Sequence, residues 1–393
     1  MQYPAVQIRP GRDNALRMGH PWVFAGALQD RSQIHEPGEL VEVRAADGSF
    51  LGIGTAHPRC TIAVRILSRS PQPIDRRFFV ARLERARALR ERVRALNGET
   101  DSYRLVNGEG DGLPGFVVDV YGSVHVVQCL TAGADRLKAS LVDALQELFS
   151  PACVYERSVG AVRREEGLAD ELGVLAGKLP PQPVRIRENG LPFWVDVVQG
   201  QKTGFFLDQR DNRALARALA CDLEVLNAFA YTGAFSVHAA AGGARSVVSV
   251  ESSARACELA RRNWELAEFS VPHEVIGADV FEFLRETDRS FDFLILDPPA
   301  LVKRKPELSR GGRAYYDLHT WALRRARPGA WLMTFSCSQH VTLPWFAYTL
   351  QKAAAHTGRE VQILRTLGAG PDHPTLVAHP EGSYLKGLLA RVV

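Results

Sequence analysis

Residues 223–251 read LEVLNAFAYTGAFSVHAAAGGARSVVSVE and pass from strand through tight loop and helix into a second strand without a break. Leu223, Val225 and Leu226 form a short apolar run, Asn227 to Thr232 is a polar and aromatic turn, and Gly233 opens a small-residue helix reaching Ala241. Gly242-Gly243 ends that helix. Ser246 to Val250 is β-branched enough for a buried parallel strand, and Glu251 stands at its carboxyl edge, eighteen residues past Gly233. This is half of a nucleotide-binding fold, with a carboxylate where ribose hydroxyls are bound. The other reading is an ordinary α/β unit whose Glu251 faces solvent.

A dinucleotide site needs G-x-G-x-x-G so that a pyrophosphate can approach the backbone, and only Gly233 stands in this turn. A pyrophosphate is disfavoured; a nucleoside without phosphates, of which S-adenosylmethionine is the common one, needs less room. Downstream, Ala254 to Ala267 reads as a helix, and His273 to Ile276, Phe291 to Leu296 and Trp331 to Phe335 read as further buried strands. Asp279, Asp297 of Asp297-Pro298-Pro299, and Cys337 of Ser336-Cys337-Ser338 each follow one of those strands. Ligands gather at the carboxyl edge of an open parallel sheet, so Glu251, Asp279, Asp297 and Cys337 are expected to converge on one crevice. Asp279 is placed to meet an adenine amino group, and two prolines stiffen the loop that aims Asp297.

A cysteine facing an acid-proline loop across such a crevice suits nucleophilic activation of a pyrimidine. Cytosine C5 becomes nucleophilic once a thiolate has added at C6. Cys337 fits that thiolate, and the flanking serines at a strand end bring this reading level with the alternative, a small residue buried in the core. Asp297 fits the cytosine N3 and N4 edge, or simply caps a turn.

Upstream, residues 1–70 alternate in short runs broken by Pro37-Gly38, Asp47-Gly48 and His57-Pro58, as in a small β-barrel or sandwich. Trp22 and Phe24, with Arg9, Arg12, Arg17 and Arg65 near in sequence, offer a surface that stacks bases and holds phosphates, but at period two they read rather as one core face. Asp75 to Asn97 turns helical, with Phe79, Leu83, Ala86, Leu89 and Val93 inward and arginines on a basic outer face that is solvated or RNA-facing. Strands and a helix over Asp135 to Phe149 complete a second unit, 75–178, and Pro180-Pro181 marks a linker. Asn189-Gly190 reads as a hairpin turn ahead of GQKTGFFLDQRDNR, residues 200–213. Lys202-Thr203 lacks the P-loop spacing, which excludes nucleoside triphosphate binding.

At 393 residues the chain is expected to form two or three domains. Its formal charge of +4 permits nucleic-acid binding without requiring it. Six cysteines with no C-x-x-C pair or zinc spacing indicate reduced thiols and no metal. No signal peptide or run of about 18 apolar residues occurs, so a cytoplasmic protein without a membrane span is expected.

The motifs GHPWVF, RLVNGEGDGLPGFVVDVYG, QKTGFFLDQRDNR, LNAFAYTGAFSVHAAAGGA, LDPPALVKRK, FSCSQHV and PDHP, in this order over nearly the whole chain, resemble the bacterial large-subunit ribosomal RNA cytosine-5 methyltransferase family. The resemblance implies a multidomain α/β and β protein: an N-terminal PUA-like β-barrel that binds RNA (1–70), a central α+β domain (75–178) and a C-terminal Rossmann-like class I methyltransferase (184–393). It implies methyl transfer from S-adenosylmethionine to C5 of a cytosine in 23S ribosomal RNA, with Cys337 as nucleophile and Asp297 beside the base. It also implies cofactor contacts from Thr203, Phe206, Asp208 and Arg210, from Asn227, Phe229, Tyr231, Thr232 and Gly233, from Glu251 and Ser252, from Asp279, and from Asp297 and Pro298. Other cytosine-5 RNA enzymes carry a second cysteine where this chain has Ala300, so a single-cysteine route is implied. Two alternatives stand beside this one: methylation of another base such as guanine N7 with Cys337 structural, and an inactive RNA-binding ribosome-assembly factor. Neither the target nucleotide nor a homodimer is decided by the residues.

Overall fold

A computed structural model of the chain describes residues 3–96 and 99–393. The fold divides into two compact units: one of Met1–Ile186, Val195–Phe205 and Pro371–Gly382, the other of Arg187–Trp194, Phe206–Gly370 and Ser383–Val393.

In the first unit, strands β1 (Ala5–Gln7), β2 (Trp22–Phe24), β3 (Glu39–Arg44), β4 (Phe50–Ala56) and β5 (Ile62–Ser68), with helix α1 (Asn14–Arg17), form a sheet of order β1-β3-β4-β5-β2. Val23 pairs with Val64 and is buried, which turns Trp22 and Phe24 the other way. The core position expected for those two aromatics is therefore corrected. Phe24 is exposed, and Trp22 donates to Glu109 at 2.7 Å while its ring lies 4.4 Å from that of His379.

Helix α2 (Arg76–Leu96) follows, and the expected end at Asn97 lies outside the described residues. Its buried face runs Phe79, Ala86, Arg90 and Val93, with Leu83 between, in steps of four and three. That spacing puts Arg90 inward and Leu89 outward, the reverse of the expectation. Arg90 is satisfied there by Asp111 at 2.5 and 2.7 Å, Arg104 O at 2.8 Å and Asp372 O at 2.7 Å. Strands β6 (Ser102–Asn107), β7 (Phe116–Tyr121) and β8 (Val124–Cys129), helix α3 (Ala132–Phe149), β9 (Cys153–Ser158), helix α4 (Ala161–Glu165) and β10 (Glu171–Gly177) build a second sheet in the order β10-β9-β8-β7-β6. The hairpin β11 (Val184–Glu188) and β12 (Leu191–Val195) turns at Asn189-Gly190, both in left-handed backbone.

The second unit runs α5 (Arg210–Leu219), β13 (Glu224–Ala228), α6 (Ala234–Ala241), β14 (Ser246–Glu251), α7 (Ala254–Ala267), β15 (His273–Gly277), α8 (Val280–Glu286), β16 (Phe291–Leu296), α9 (Leu308–Arg325), β17 (Ala326–Ser336), α10 (Leu343–Thr357), β18 (Val361–Leu367) and β19 (Lys386–Val392). Its sheet has the order β15-β14-β13-β16-β17-β19-β18. Side chains alternate across it: Leu226, Val248, Leu294 and Leu332 meet Leu284 of α8, Leu318 of α9 and Leu350 of α10. Val225, Val247, Phe293 and Met333 meet Ala216 of α5 and Phe235 of α6 on the other face. Burial on both faces explains why these strands are continuously apolar. The sheet is mixed, not purely parallel, because β19 runs antiparallel to both β17 and β18.

Burial keeps several histidine rings neutral: it pushes buried His125 and half-buried His273 down to about 4 and buried His319 down to about 3. Each has a folded value below its unfolded one, so stability is present above about pH 6.5 and is lost as the unfolded chain takes up protons on acidification. Denaturant titrations are expected to show a fall on the order of 2 kcal/mol per histidine between pH 7 and pH 4.5. A flat profile over that window would contradict the neutral assignment.

Candidate active site

Strands β13 to β17 all run parallel and bring their carboxyl ends to one edge of the sheet. The chain leaves β13 for β14 and β15, then returns to β16 on the other side of β13. Strand order reverses between β13 and β16, and a crevice opens at the carboxyl end of such a switch point.

The turn after β13 is strained. Phe229, Tyr231 and Gly233 have φ values of 61, 48 and 77°, which costs the two non-glycine residues on the order of 1 kcal/mol each. Glu251 holds the turn in place: one carboxylate oxygen accepts the Tyr231 N–H at 2.9 Å, the other the Ser253 N–H at 2.8 Å and the Ser252 hydroxyl at 3.4 Å. The Thr232 hydroxyl, only 2% exposed, has no hydrogen-bond partner among the described residues. A strained turn carrying an unpaired buried hydroxyl beside a carboxylate at the strand edge is the feature of a ligand cradle. These residues fit a nucleoside.

Asp279 caps α8, accepting the Phe281 and Glu282 N–H groups at 2.8 and 3.1 Å, and its side chain is exposed. Phe229 packs edge-on against Phe281, and Phe206 edge-on against Tyr231. Other expected contacts are turned elsewhere. The Asn227 amide is buried and donates to Ser236 at 2.8 Å, in a chain continuing through Ser249 to His273. Thr203 belongs to the first unit, where its hydroxyl donates to Asp119 at 2.5 Å and lies 3.0 Å from Tyr121. Asp208 accepts the Tyr384 phenol at 2.5 Å, and Arg210 is buried near Asp211.

At the end of β17 the side chains alternate. Ser336 and Ser338 point inward, where the Tyr315 phenol donates to Ser336 at 2.8 Å and lies 3.3 Å from the Ser338 hydroxyl. Ser338 also accepts the Val302 N–H at 3.1 Å. Cys337, between two pinned serines, is half-buried, with Sγ 3.9 Å from the Pro298 carbonyl oxygen. The thiol thus meets the Asp297-Pro298-Pro299 loop, and Asp297, half-buried, leads that loop out of β16. Burial raises the Tyr315 phenol above its ordinary value against the pull of its serine partners, so it stays a neutral donor.

Lys386, which no motif singles out, pairs across the sheet with Ser336. Only its place at the head of the apolar run Gly387 to Ala390 hints at it in the sequence.

Two groups elsewhere in the first unit have metal-compatible residue types, His57 with Cys60 and Glu166, and Asp135 with Glu156 and Glu171. Both are occupied by protein partners: Arg65 sits on Glu166 at 2.7 Å, and Lys138 bridges the three carboxylates.

Residues 6–69 match the profile of a PUA-like domain, and residues 168–323 that of an S-adenosylmethionine-dependent methyltransferase. The chain is 43% identical to the ribosomal RNA large subunit methyltransferase I of Pseudoalteromonas atlantica, covering 99% of both proteins. It is 40% identical to the protein of that name from Vibrio cholerae, over 99% of this chain and 100% of the other. A proposed methyltransferase solved in complex with SAH superimposes with a TM-score of 0.85 over the whole of both chains at 22% identity, a likeness of fold.

Proposed function

The chain belongs to the ribosomal RNA large subunit methyltransferase I family, with S-adenosylmethionine as its cofactor, and from that premise we propose that it methylates C5 of a cytosine in 23S ribosomal RNA through a Cys337 adduct. The observation that supports this reading is the half-buried Cys337 thiol at the carboxyl end of β17, facing the Asp297-Pro298-Pro299 loop.

S-adenosylmethionine, when bound, supplies an electrophilic methyl on a sulfonium. Thr232, Glu251 and Asp279 line the crevice that takes it, the last two as carboxylates suited to ribose hydroxyls and an adenine amino group. Cys337 acts as thiolate: its sulfur bonds to cytosine C6, and the electron pair displaced to C5 takes the methyl as the S–CH3 bond breaks and its electrons stay with the donor sulfur, which leaves as a neutral thioether. Loss of the C5 proton and breakage of the C6–S bond then restore the ring and return the thiolate. Asp297 holds the N3 and N4 edge of the base, as acceptor from N4–H or, protonated, as donor to N3. Ala300 occupies the place of a second thiol, so the adduct resolves without one. The PUA-like domain and the exposed arginines of α2 give an RNA its backbone contacts.

Incubation with isotopically labelled cofactor and unmodified large-subunit ribosomal RNA, followed by nucleoside mass analysis, is expected to yield 5-methylcytidine. Label in 7-methylguanosine would transfer the activity to guanine and leave Cys337 structural. Cofactor binding with no transfer to RNA would support an assembly factor instead.

A further inference from the structure

The inference here rests on the reading of Cys337 as nucleophile and concerns what keeps it ionised. A free thiol titrates near 8.5, and nucleophilic cysteines are lowered by a neighbouring cation, a histidine or a helix N-terminus. Cys337 directly follows a strand and is not in the first turn of a helix. Tyr315 on α9 and Lys386 on β19 feel its charge, and Asp297 opens the loop whose Pro298 carbonyl its sulfur meets. Of these groups the lysine is the one that carries a positive charge.

Lys386 opens β19 directly opposite Ser336, and its ammonium donates to the Ser338 carbonyl and to the Tyr384 carbonyl, both at 2.6 Å. Those bonds tether the charge to the backbone one residue past Cys337 and two residues before Lys386 itself, and use two of its three N–H groups. No carboxylate pairs with it among the described residues. A half-buried ammonium held by carbonyl oxygens alone lacks a counter-ion, and such an arrangement is costly unless an anion forms nearby. Burial lowers the proton affinity of Lys386, and the charge of Cys337 acts to raise it again.

We propose that Lys386 is a positioning residue for the reaction: it is the counter-ion that holds Cys337 as a thiolate. On ionisation the sulfur keeps the electron pair, its proton goes to solvent, and Lys386 keeps its own proton throughout. The two carbonyl bonds fix where the positive charge sits, so it acts through the sulfur without touching the base.

The test is the pH dependence of alkylation at Cys337 in the full-length protein. Iodoacetamide labelling is followed from pH 5.5 to 9.5 at the Cys337 peptide by mass spectrometry, which separates it from the other five cysteines. Lys386→Gln keeps N–H donors for the two carbonyls and removes the charge. It is expected to raise the apparent thiol pKa by about one unit, with about ten-fold slower labelling at pH 7 and the same displacement of the acid limb of kcat/KM. Lys386→Arg, which keeps the charge, is expected to retain most of the parent's labelling rate. An unchanged titration in Lys386→Gln overturns the proposal, as does an equal shift in the Gln and Arg variants, which would mark a purely structural tether. The nucleophile reading fails separately: it falls if Cys337→Ala still methylates, whereas loss of methylation in Cys337→Ala with an unaltered titration in Lys386→Gln removes only the role of the lysine.

Discussion

Cys337→Ala is expected to lower the rate of methyl transfer by about 10³-fold or more, with cofactor affinity and folding unchanged. Cytosine C5 is not nucleophilic until C6 is saturated, so removing the sulfur removes the reaction's route and not merely part of its binding. Because the thiol is half-buried and small, its removal leaves little cavity. The flanking serines keep their bonds to Tyr315 and Val302, so the strand end holds its shape. Single-turnover assays with labelled cofactor measure the loss, and equilibrium cofactor binding checks that the crevice is intact. An RNA carrying 5-fluorocytosine adds a second readout: fluorine at C5 cannot leave as a proton, so the parent is expected to be trapped covalently and the variant not. An Ala variant within ten-fold of the parent would end the thiolate route.

Much of the site is legible from the residues because it sits on elements with strong local signals. Ala234–Ala241 lies inside the small-residue helix as read, while Glu224–Ala228 runs two residues past the apolar run into the expected turn and Ser246–Glu251 takes in Glu251 beyond the β-branched run. Once those strands are parallel, chain geometry alone sends Glu251, Asp279, Asp297 and Cys337 to the same edge. What escapes the reading depends on pairing at long range. Lys386 reaches Ser338 only because β19 is inserted antiparallel beside β17, and no local pattern specifies which strand a C-terminal apolar run will join. Thr203 and Asn227 have suitable residue types in suitable loops, yet their side chains are engaged by Asp119 and Ser236. Leu89 and Arg90 illustrate the same limit at one-residue resolution: helical spacing favours position 90, and an arginine is accepted there because Asp111 and Asp372 lie in wait from distant parts of the chain.

Arg213→Met is expected to destabilise the second unit by about 3–5 kcal/mol, because it strands a carboxylate with no exposed surface. Arg213 grips Glu188 with two bonds of 2.6 Å, and His238 lies 3.2 Å from the same carboxylate. Burial pushes Glu188 up, but the Arg213 charge and the bonds from His238 and Arg213 outweigh it and bring the acid down to about 2. A folded value below the unfolded one means stability that is present above about pH 4.5 and lost as pH falls towards 2, a swing on the order of 3 kcal/mol. Without Arg213 the burial effect dominates, the folded value rises above the unfolded one, and the sign reverses: the variant loses stability as pH rises. The gap between parent and variant, measured by denaturant titration, should therefore narrow from pH 7 towards pH 3. A constant gap would mean that Glu188 is not ionised in the fold. The consequence reaches the site, since Arg213 also donates to the Phe206 carbonyl at 2.9 Å and Phe206 packs on Tyr231 of the strained turn. Replacing both partners with apolar residues, Arg213→Met with Glu188→Leu, is expected to recover most of the stability. If cofactor affinity stays low in that double variant, the pair is needed to hold the turn as well as to fill the core.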